Sequence, residues 1–262
     1  MRLQLVELED LPWWPSVVRD LATDYLRFVE SRFRLHRPMV PLLADALRRT
    51  GTQRVIDLCS GGGGPVPSMV ADLRRNGVPV TAVLTDRYPN ASAFARVAAE
   101  SNGAIAAEPG PVDARAVPPH LIGLRTICNA FHHFAPKMAV EVLSDARRAG
   151  QPIAVFEIPQ RSARTIIPLI LTPIFVLLAT PFIRPFRWAR LFWTYLVPLV
   201  PITCWWDGLV SQLRAYEPEE LLALADRVPA GFEWKAGRVP IGVTPGELTY
   251  LIGMPLGRAT NR

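Results

Sequence analysis

The spacing of apolar positions changes along the chain, and those changes divide it into regions. From residue 11 to about 49, apolar side chains recur at three- and four-residue steps, through Val17, Val18, Leu21, Tyr25, Leu26 and Phe28, as on one helix face. His36-Arg37-Pro38 interrupts the pattern. Val40, Leu42, Leu43 and Leu47 then predict a second helix that ends near Gly51. Residues 1–50 therefore read as an N-terminal helical cap.

The period then shortens. Arg54-Val55-Ile56-Asp57-Leu58 predicts a strand running into Cys59-Ser60-Gly61-Gly62-Gly63-Gly64, followed by a helix over about 67–76. A second strand over 80–85 ends at Asp86 and precedes a helix over 91–100. Residues 103–107 and 122–128 predict two more strands, the latter leading into Asn129-Ala130-Phe131-His132-His133-Phe134. A helix over 136–149 and a fifth strand over 152–157, ending at Glu157, complete the alternation. Strands separated by helices of this length imply βαβ units and a doubly wound, Rossmann-like α/β fold with a mainly parallel sheet. Later comes a helix opened by Glu217-Pro218-Glu219-Glu220, then β-like runs over 231–241 and 247–254 joined through Thr244-Pro245-Gly246. This closing hairpin brings the sheet to seven strands. A dehydrogenase-type double Rossmann fold would instead continue with parallel units.

Between Glu157 and Glu217, residues 160–206 form an apolar helical insertion. Residues 165–183 carry no charge and, at roughly 1.5 Å per residue, approach the thickness of a bilayer core. Pro168, Pro173 and Pro181 interrupt them, and a later run over 191–206 is shorter. A lone span would strand the C-terminal hairpin across the membrane from its sheet, so any insertion has to return to the same side. Arg184-Pro185-Phe186-Arg187-Trp188-Ala189-Arg190 mixes arginine with aromatic rings, as at a headgroup interface. The pattern suits a monotopic hairpin dipping into one leaflet; the same residues could instead make a buried lid or a dimer surface.

Composition narrows the setting. The 262 residues suffice for one large α/β domain, here 51–262, carrying that insertion. Half the residues are hydrophobic and the mean hydropathy is +0.18, yet 20% are charged, too many for a bundle of membrane helices. The net charge of +6 is almost all arginine, since Lys137 and Lys235 are the two lysines. That bias alone fits anionic lipid, nucleic acid or genomic base composition. Cys59, Cys128 and Cys204 are scattered, without the paired spacing of a zinc site or disulfide framework. The N-terminus soon reaches Glu7, Glu9 and Asp10 and lacks the pattern of a signal peptide. The expected location is the cytoplasm, at the inner face of the cell membrane.

The chemistry begins at the glycines. A strand that ends in an acid and runs into a glycine-rich turn lets the backbone pass close to a bulky ligand. A dinucleotide G-x-G-x-x-G starting at Gly61 and Gly63 would need glycine or alanine at Val66, and no Gly-Lys-Ser/Thr follows for a P-loop. Val55-Ile56-Asp57-Leu58-Cys59-Ser60-Gly61-Gly62-Gly63 instead resembles motif I of the class I S-adenosylmethionine-dependent methyltransferases, with Cys59 in place of the first glycine. Asp86 matches the family's acid that accepts hydrogen bonds from the ribose diol, with Arg87 beside it. Val112-Asp113-Ala114 resembles the segment that meets adenine. Asn129 to Phe134 resembles motif IV in a form similar to the ubiquinone- and menaquinone-type enzymes.

The resemblance implies S-adenosylmethionine as cofactor, held by Asp57, Cys59, Gly61, Gly63, Asp86, Arg87, Asp113, Ala114 and Asn129. His132 or His133 is the candidate base, because both follow the fourth strand at the carboxyl edge where such sheets bind ligands. Glu157, at the same edge, could be the base, an acceptor anchor, or a salt-bridge partner of Arg161 or Arg164. Trp13, Tyr25, Trp206, Asp207, Arg214 and Tyr216 are candidates for the acceptor wall. No metal cluster is visible. The resulting expectation is methylation of a hydrophobic small molecule or lipid at oxygen or carbon; a non-catalytic cofactor-binding scaffold of the same fold is the alternative. Nucleic-acid methylation is disfavoured, since no Asn/Asp-Pro-Pro-Tyr/Phe motif occurs and the arginines are dispersed.

Overall fold

The computed structural model describes residues 2–242 and 246–256, so Thr244 and Pro245 of the expected turn lie outside the described residues. Seven strands form one sheet: β1 (Arg54–Leu58), β2 (Thr81–Leu84), β3 (Ile105–Ala107), β4 (Leu124–Cys128), β5 (Ile153–Glu157), β6 (Phe232–Pro240) and β7 (Glu247–Pro255). Their spatial order is β3-β2-β1-β4-β5-β7-β6. Strands β1 to β5 pair in parallel, while β7 is antiparallel to both β5 and β6. The sequence expectation of a mainly parallel seven-stranded sheet closed by a hairpin is met.

Period-two alternation sends neighbouring strand residues to opposite faces. Val55, Leu124, Ala154 and Phe156 pack on one face under α2 (Met39–Thr50), α3 (Val66–Arg75) and α4 (Ala91–Glu100). Ile56, Leu58, Ile127 and Val155 pack on the other under α5 (Pro136–Arg148) and α10 (Pro218–Ala225). Helix α10 starts with the anticipated acids: Glu217 and Glu220 form a reciprocal capping box, with Pro218 in the first turn. In the hairpin the Trp234 ring lies over Gly253, where a Cβ would come within 2.2 Å of it.

The expected N-terminal cap divides. Helix α2 joins the sheet's own core, whereas α1 (Ser16–Phe33) packs with the insertion. That insertion is a chain of short turns: α6 (Ala163–Ile166), a 3-10 turn (Ile167–Leu171), α7 (Thr172–Ala179) and a 3-10 turn (Thr180–Phe182). Pro168, Pro173 and Pro181 each stand in the first turn of one of these pieces, where a missing N–H costs least. After α8 (Trp188–Leu191) and a π turn, α9 (Leu199–Arg214) returns beside α7. Val18, Leu21 and Tyr25 of α1 share a core with Val176, Ile183, Val200 and Cys204. A buried ion pair ties the two parts together. Arg190 Nη2 lies 2.7 Å from Asp24 Oδ2, while its Nη1 donates to the carbonyls of Ile183 and Pro185.

The outward surface of the insertion is apolar. The helical run Ala163–Phe182 is long and apolar enough to cross a membrane, and little of it is buried. Ile170, Trp188 and Leu196 are each more than two-thirds exposed.

Replacing Asp24 by leucine leaves Arg190 buried without its counter-ion and is expected to cost about 3 kcal/mol. The double variant Asp24→Leu/Arg190→Met should recover much of that loss. Urea unfolding of the four proteins measures both, and purely additive losses would contradict a coupled pair.

Candidate active site

The glycine turn is organised from beneath by Asp57. Its carboxylate is buried at the end of β1, where Oδ2 accepts from Ser60 Oγ at 2.6 Å and Oδ1 accepts from Thr126 Oγ1 of β4 at 2.6 Å. The Asp57 carbonyl accepts from the backbone N–H and the hydroxyl of Thr85, both at 2.9 Å. Strands β1, β2 and β4 and the turn thus meet at one residue. Burial raises the Asp57 carboxyl to about 7, despite the two hydroxyl donors that favour its charged form. Asp57 is therefore a support for the turn, not an exposed contact for a ligand.

Above it, Cys59 has φ +60° and Gly61 has φ +54°. The turn keeps the left-handed conformation at the position where the motif's first glycine would stand, so Cys59 carries a strain of about 1 kcal/mol or more. Gly63 has φ +101°, and a Cβ there would come within 3.1 Å of the Val97 side chain on α4. Gly61 N donates to Asp86 Oδ2 and Tyr88 N to Asp86 Oδ1, each at 2.8 Å. Asp86 is half-buried, and each of its oxygens has a second lone pair to offer. Burial raises the Cys59 thiol, and the surrounding carboxylates of Asp86, Asp57, Asp113 and Glu157 raise it further. Four acids thus converge on the turn.

The other expected ligand contacts fare unevenly. Asp113 is taken up by Arg115, whose Nε and Nη2 donate to its two oxygens at 3.0 and 2.6 Å. This fork, opposed only in part by burial, holds the Asp113 carboxyl down at about 2. Arg115 takes one lone pair of each oxygen, and the Asp113 side chain stays partly exposed. Arg87 Nη1 stands 4.0 Å from Asp113, and Ala114 is buried. Asn129 has φ +53°, and its Oδ1 accepts from Ile158 N at 2.8 Å. It links the ends of β4 and β5.

Past β4, residues 131–133 make one 3-10 turn. Glu157 reaches across from β5: Oε1 accepts from Phe131 N at 2.6 Å and Oε2 lies 2.5 Å from His132 Nδ1. Both side chains are almost fully buried. Glu157 pairs with His132 and not with Arg161, which bonds to Glu217 and Glu220 instead. With Nδ1 against a carboxylate, His132 turns Nε2 the other way, and that atom has no hydrogen-bond partner among the described residues. His133 stacks beside it with ring centroids 4.4 Å apart. Burial works against a charged His133, but the hydrogen bond to Asp10 and the charges of Glu7, Glu9 and Asp10 outweigh it and raise the group to about 9.

Residues 2–10, which sequence reasoning did not connect to the site, cross these histidines as a strap. Arg2 donates to the carbonyls of His132 and Phe134 and lies over the Tyr216 ring. Four residues expected in an acceptor wall hold the strap and its surroundings instead. Asp207 accepts from Leu8 N and Glu9 N, capping the 3-10 turn Leu8–Asp10. Arg214 bonds to the Leu5 carbonyl, Glu7 and Asp10. Trp206 Nε1 donates to the Val6 carbonyl, and Tyr216 OH donates to that of Phe134. Trp13 stands out at the surface with its ring edge on Trp14, while Tyr25 is buried in the core between α1 and the insertion. The strap also brings buried Glu7 against both histidines, so a His/His/carboxylate group exists where none was visible in the sequence.

No family profile and no curated protein matches this chain. Among solved structures, it is similar to the methyltransferase domain of bacterial CtHen1-C, with 9% identity over 85% of this chain and 100% of that one, at a TM-score of 0.50. It is also similar to an O-methyltransferase family protein from Burkholderia thailandensis, with 17% identity over 88% of this chain and 59% of that one, at 0.48. PigF with SAH aligns at 17% identity over 94% of this chain and 62% of that one, at 0.47. The chain spans about three-fifths of the length of these last two proteins.

Two outcomes follow for the turn. Cys59→Gly relieves the left-handed strain and should gain about 1 kcal/mol in urea unfolding. For Asp57, the folded carboxyl binds its proton more tightly than the unfolded one, so its contribution is most favourable below about pH 4 and is lost as pH rises to about 7. Asp57→Asn should flatten the fall in stability across that window; an unchanged slope would place the titration elsewhere.

Proposed function

We propose that this chain is an S-adenosylmethionine-dependent methyltransferase acting on oxygen or carbon of a hydrophobic small molecule or lipid at the cytoplasmic face of the membrane. The observation that carries the proposal is the placement, along one carboxyl edge of the sheet, of the Asp86-bonded glycine turn and the buried His132–Glu157 pair.

The residues fit that cofactor. Asp86 has acceptor capacity left for a vicinal diol, and Gly61 leaves open space beside its Cα. Asp86, bonded to the glycine turn, places a carboxylate beside the site of a cationic sulfonium. When bound, S-adenosylmethionine supplies an electrophilic methyl group. What the chain has to provide is alignment of the acceptor, exclusion of water and removal of the acceptor's proton. For a hydroxyl acceptor, His132 Nε2 takes that proton, while Glu157 fixes the tautomer and stabilises the imidazolium that forms. The strap covers this nitrogen, so the acceptor reaches it when residues 2–10 swing aside.

The preference for an oily acceptor rests on the insertion. It exposes Ile170, Phe175, Leu178 and Trp188, and the segment Arg184-Pro185-Phe186-Arg187-Trp188 adds arginines next to aromatic rings. Apolar side chains beside guanidiniums match a bilayer surface bearing anionic headgroups.

Calorimetric titration should show S-adenosylmethionine binding that Asp86→Ala weakens by roughly 10- to 100-fold. With membrane lipid extract, S-adenosylhomocysteine should accumulate in the wild type and not in His132→Gln, which retains cofactor binding. Cofactor binding without turnover on any extract would favour the non-catalytic scaffold. In flotation with anionic vesicles, Phe186→Ser/Trp188→Ser should release the protein, and added salt should weaken its binding. Membrane partition that ignores both changes would sink the interfacial part of the reading.

A further inference from the structure

We propose that Glu7, His132 and His133 bind one divalent metal ion of the zinc class, and that this ion latches the N-terminal strap over the site. The latch role rests on the proposed function; the metal site stands on geometry alone.

Both imidazoles turn Nε2 toward the same carboxylate. His132 Nε2 lies 3.7 Å from Glu7 Oε1, and His133 Nε2 lies 3.5 Å from Glu7 Oε2. These separations are too long for hydrogen bonds. Ligand atoms on bonds of about 2.0–2.2 Å around a tetrahedral ion stand about 3.3–3.6 Å apart. One ligand atom from each of the three groups lies within 4.8 Å of the others, close enough for small side-chain shifts to bring all three onto one ion.

The surroundings support the same assignment. His132 is 2% exposed, and its Nε2 is a buried polar atom without a hydrogen-bond partner among the described residues, which is costly unless something fills the position. The other nitrogen of His132 meets a carboxylate, while that of His133 lies between a carboxylate and the Arg214 guanidinium. Glu157 Oε2 is 2.5 Å from His132 Nδ1, and Asp10 Oδ1 is 3.4 Å from His133 Nδ1. Carboxylates in these positions orient ligating histidines and make them better donors. Glu7, Glu9, Asp10 and Glu157 together face the imidazoles, with Arg214 and Arg2 as the nearby guanidiniums. Arg214 Nη1 lies 3.1 Å from Glu7 Oε1 and 3.3 Å from His133 Nδ1, so Glu7 Oε2 is the oxygen left for an ion.

Two imidazoles and a carboxylate suit zinc or a similar borderline cation, and three protein ligands leave a fourth position for water. Glu7 belongs to the strap, whereas the histidines belong to the sheet edge. The ion would therefore bridge the moving part to the fixed part, and it would occupy the His132 nitrogen that accepts the acceptor's proton. Bound metal stabilises the closed chain and stops methyl transfer.

The full-length protein, stripped with chelator and desalted, should take up about one equivalent of zinc(II) with a rise in Tm. Cobalt(II) should give the intense ligand-field bands of a four-coordinate site. Glu7→Gln and His133→Gln should each weaken zinc binding about tenfold or more. His120→Gln, which removes an exposed partner of Glu108, should leave it unchanged. Failure to take up zinc, or equal uptake by the wild type and both site variants, would overturn the metal site. Cobalt is read on the wild type, so an aqua-like spectrum overturns the site even if a variant fails to fold. Zinc should suppress S-adenosylhomocysteine formation in step with occupancy, and chelator should restore it. Full occupancy without suppression removes the latch, whereas a metal-free protein that never transfers methyl counts against the proposed function and leaves the site standing.

Discussion

The buried carboxylate of Asp57 is the point on which the arrangement of the sheet edge depends. It is hydrogen-bonded to Ser60 in the glycine turn and to Thr126 on β4, and its backbone carbonyl receives Thr85 at the end of β2. An acid that burial drives toward neutrality is a costly choice for a core position. It persists because two hydroxyls and the strand ladders satisfy it, and because no apolar side chain could join three strands to one turn. The open conformation at Gly61, the strained one at Cys59 and the amide bond to Asp86 all sit on this support.

A second set of polar contacts works on the acceptor side. Glu157 holds both the 3-10 turn after β4 and the His132 ring, so the fifth strand sets the direction of the histidine. Helix α9 then carries the chain out of the apolar insertion to Asp207, Arg214 and the start of the Tyr216 segment, and these side chains hold residues 2–10 across the histidines. The insertion is thereby mechanically connected to the cover of the site. Through Arg190 and Asp24 it is also connected to α1, whose Thr23 packs on Gly62 of the glycine turn.

The element pattern was open to sequence reasoning because strands and helices declare themselves through local periodicity, and caps and turns through single residues such as Pro218, Gly51 and Gly61. The acid and glycines of the turn and Asp86 at the tip of β2 stood out through their resemblance to methyltransferase motifs, and the histidines after β4 through their place at the carboxyl edge of a parallel sheet. Where sequence reasoning missed, the partner came from far along the chain. Asp207, Arg214 and Trp206 were expected around an acceptor but hold a strap roughly two hundred residues away.

The sequence by itself determined the order of elements, the parallel sheet with its closing hairpin, the position of the glycine turn and the oily character of residues 160–206. Tertiary structure alone decided that Glu7 reaches His132 and His133, that Glu157 takes His132 and not Arg161, and that α1 joins the insertion while α2 joins the sheet. The physical reason is range. Backbone periodicity and turn chemistry act over a few neighbouring residues, whereas the partner of a buried charge is whichever group folding brings within about 4 Å of it, and that distance has no local trace.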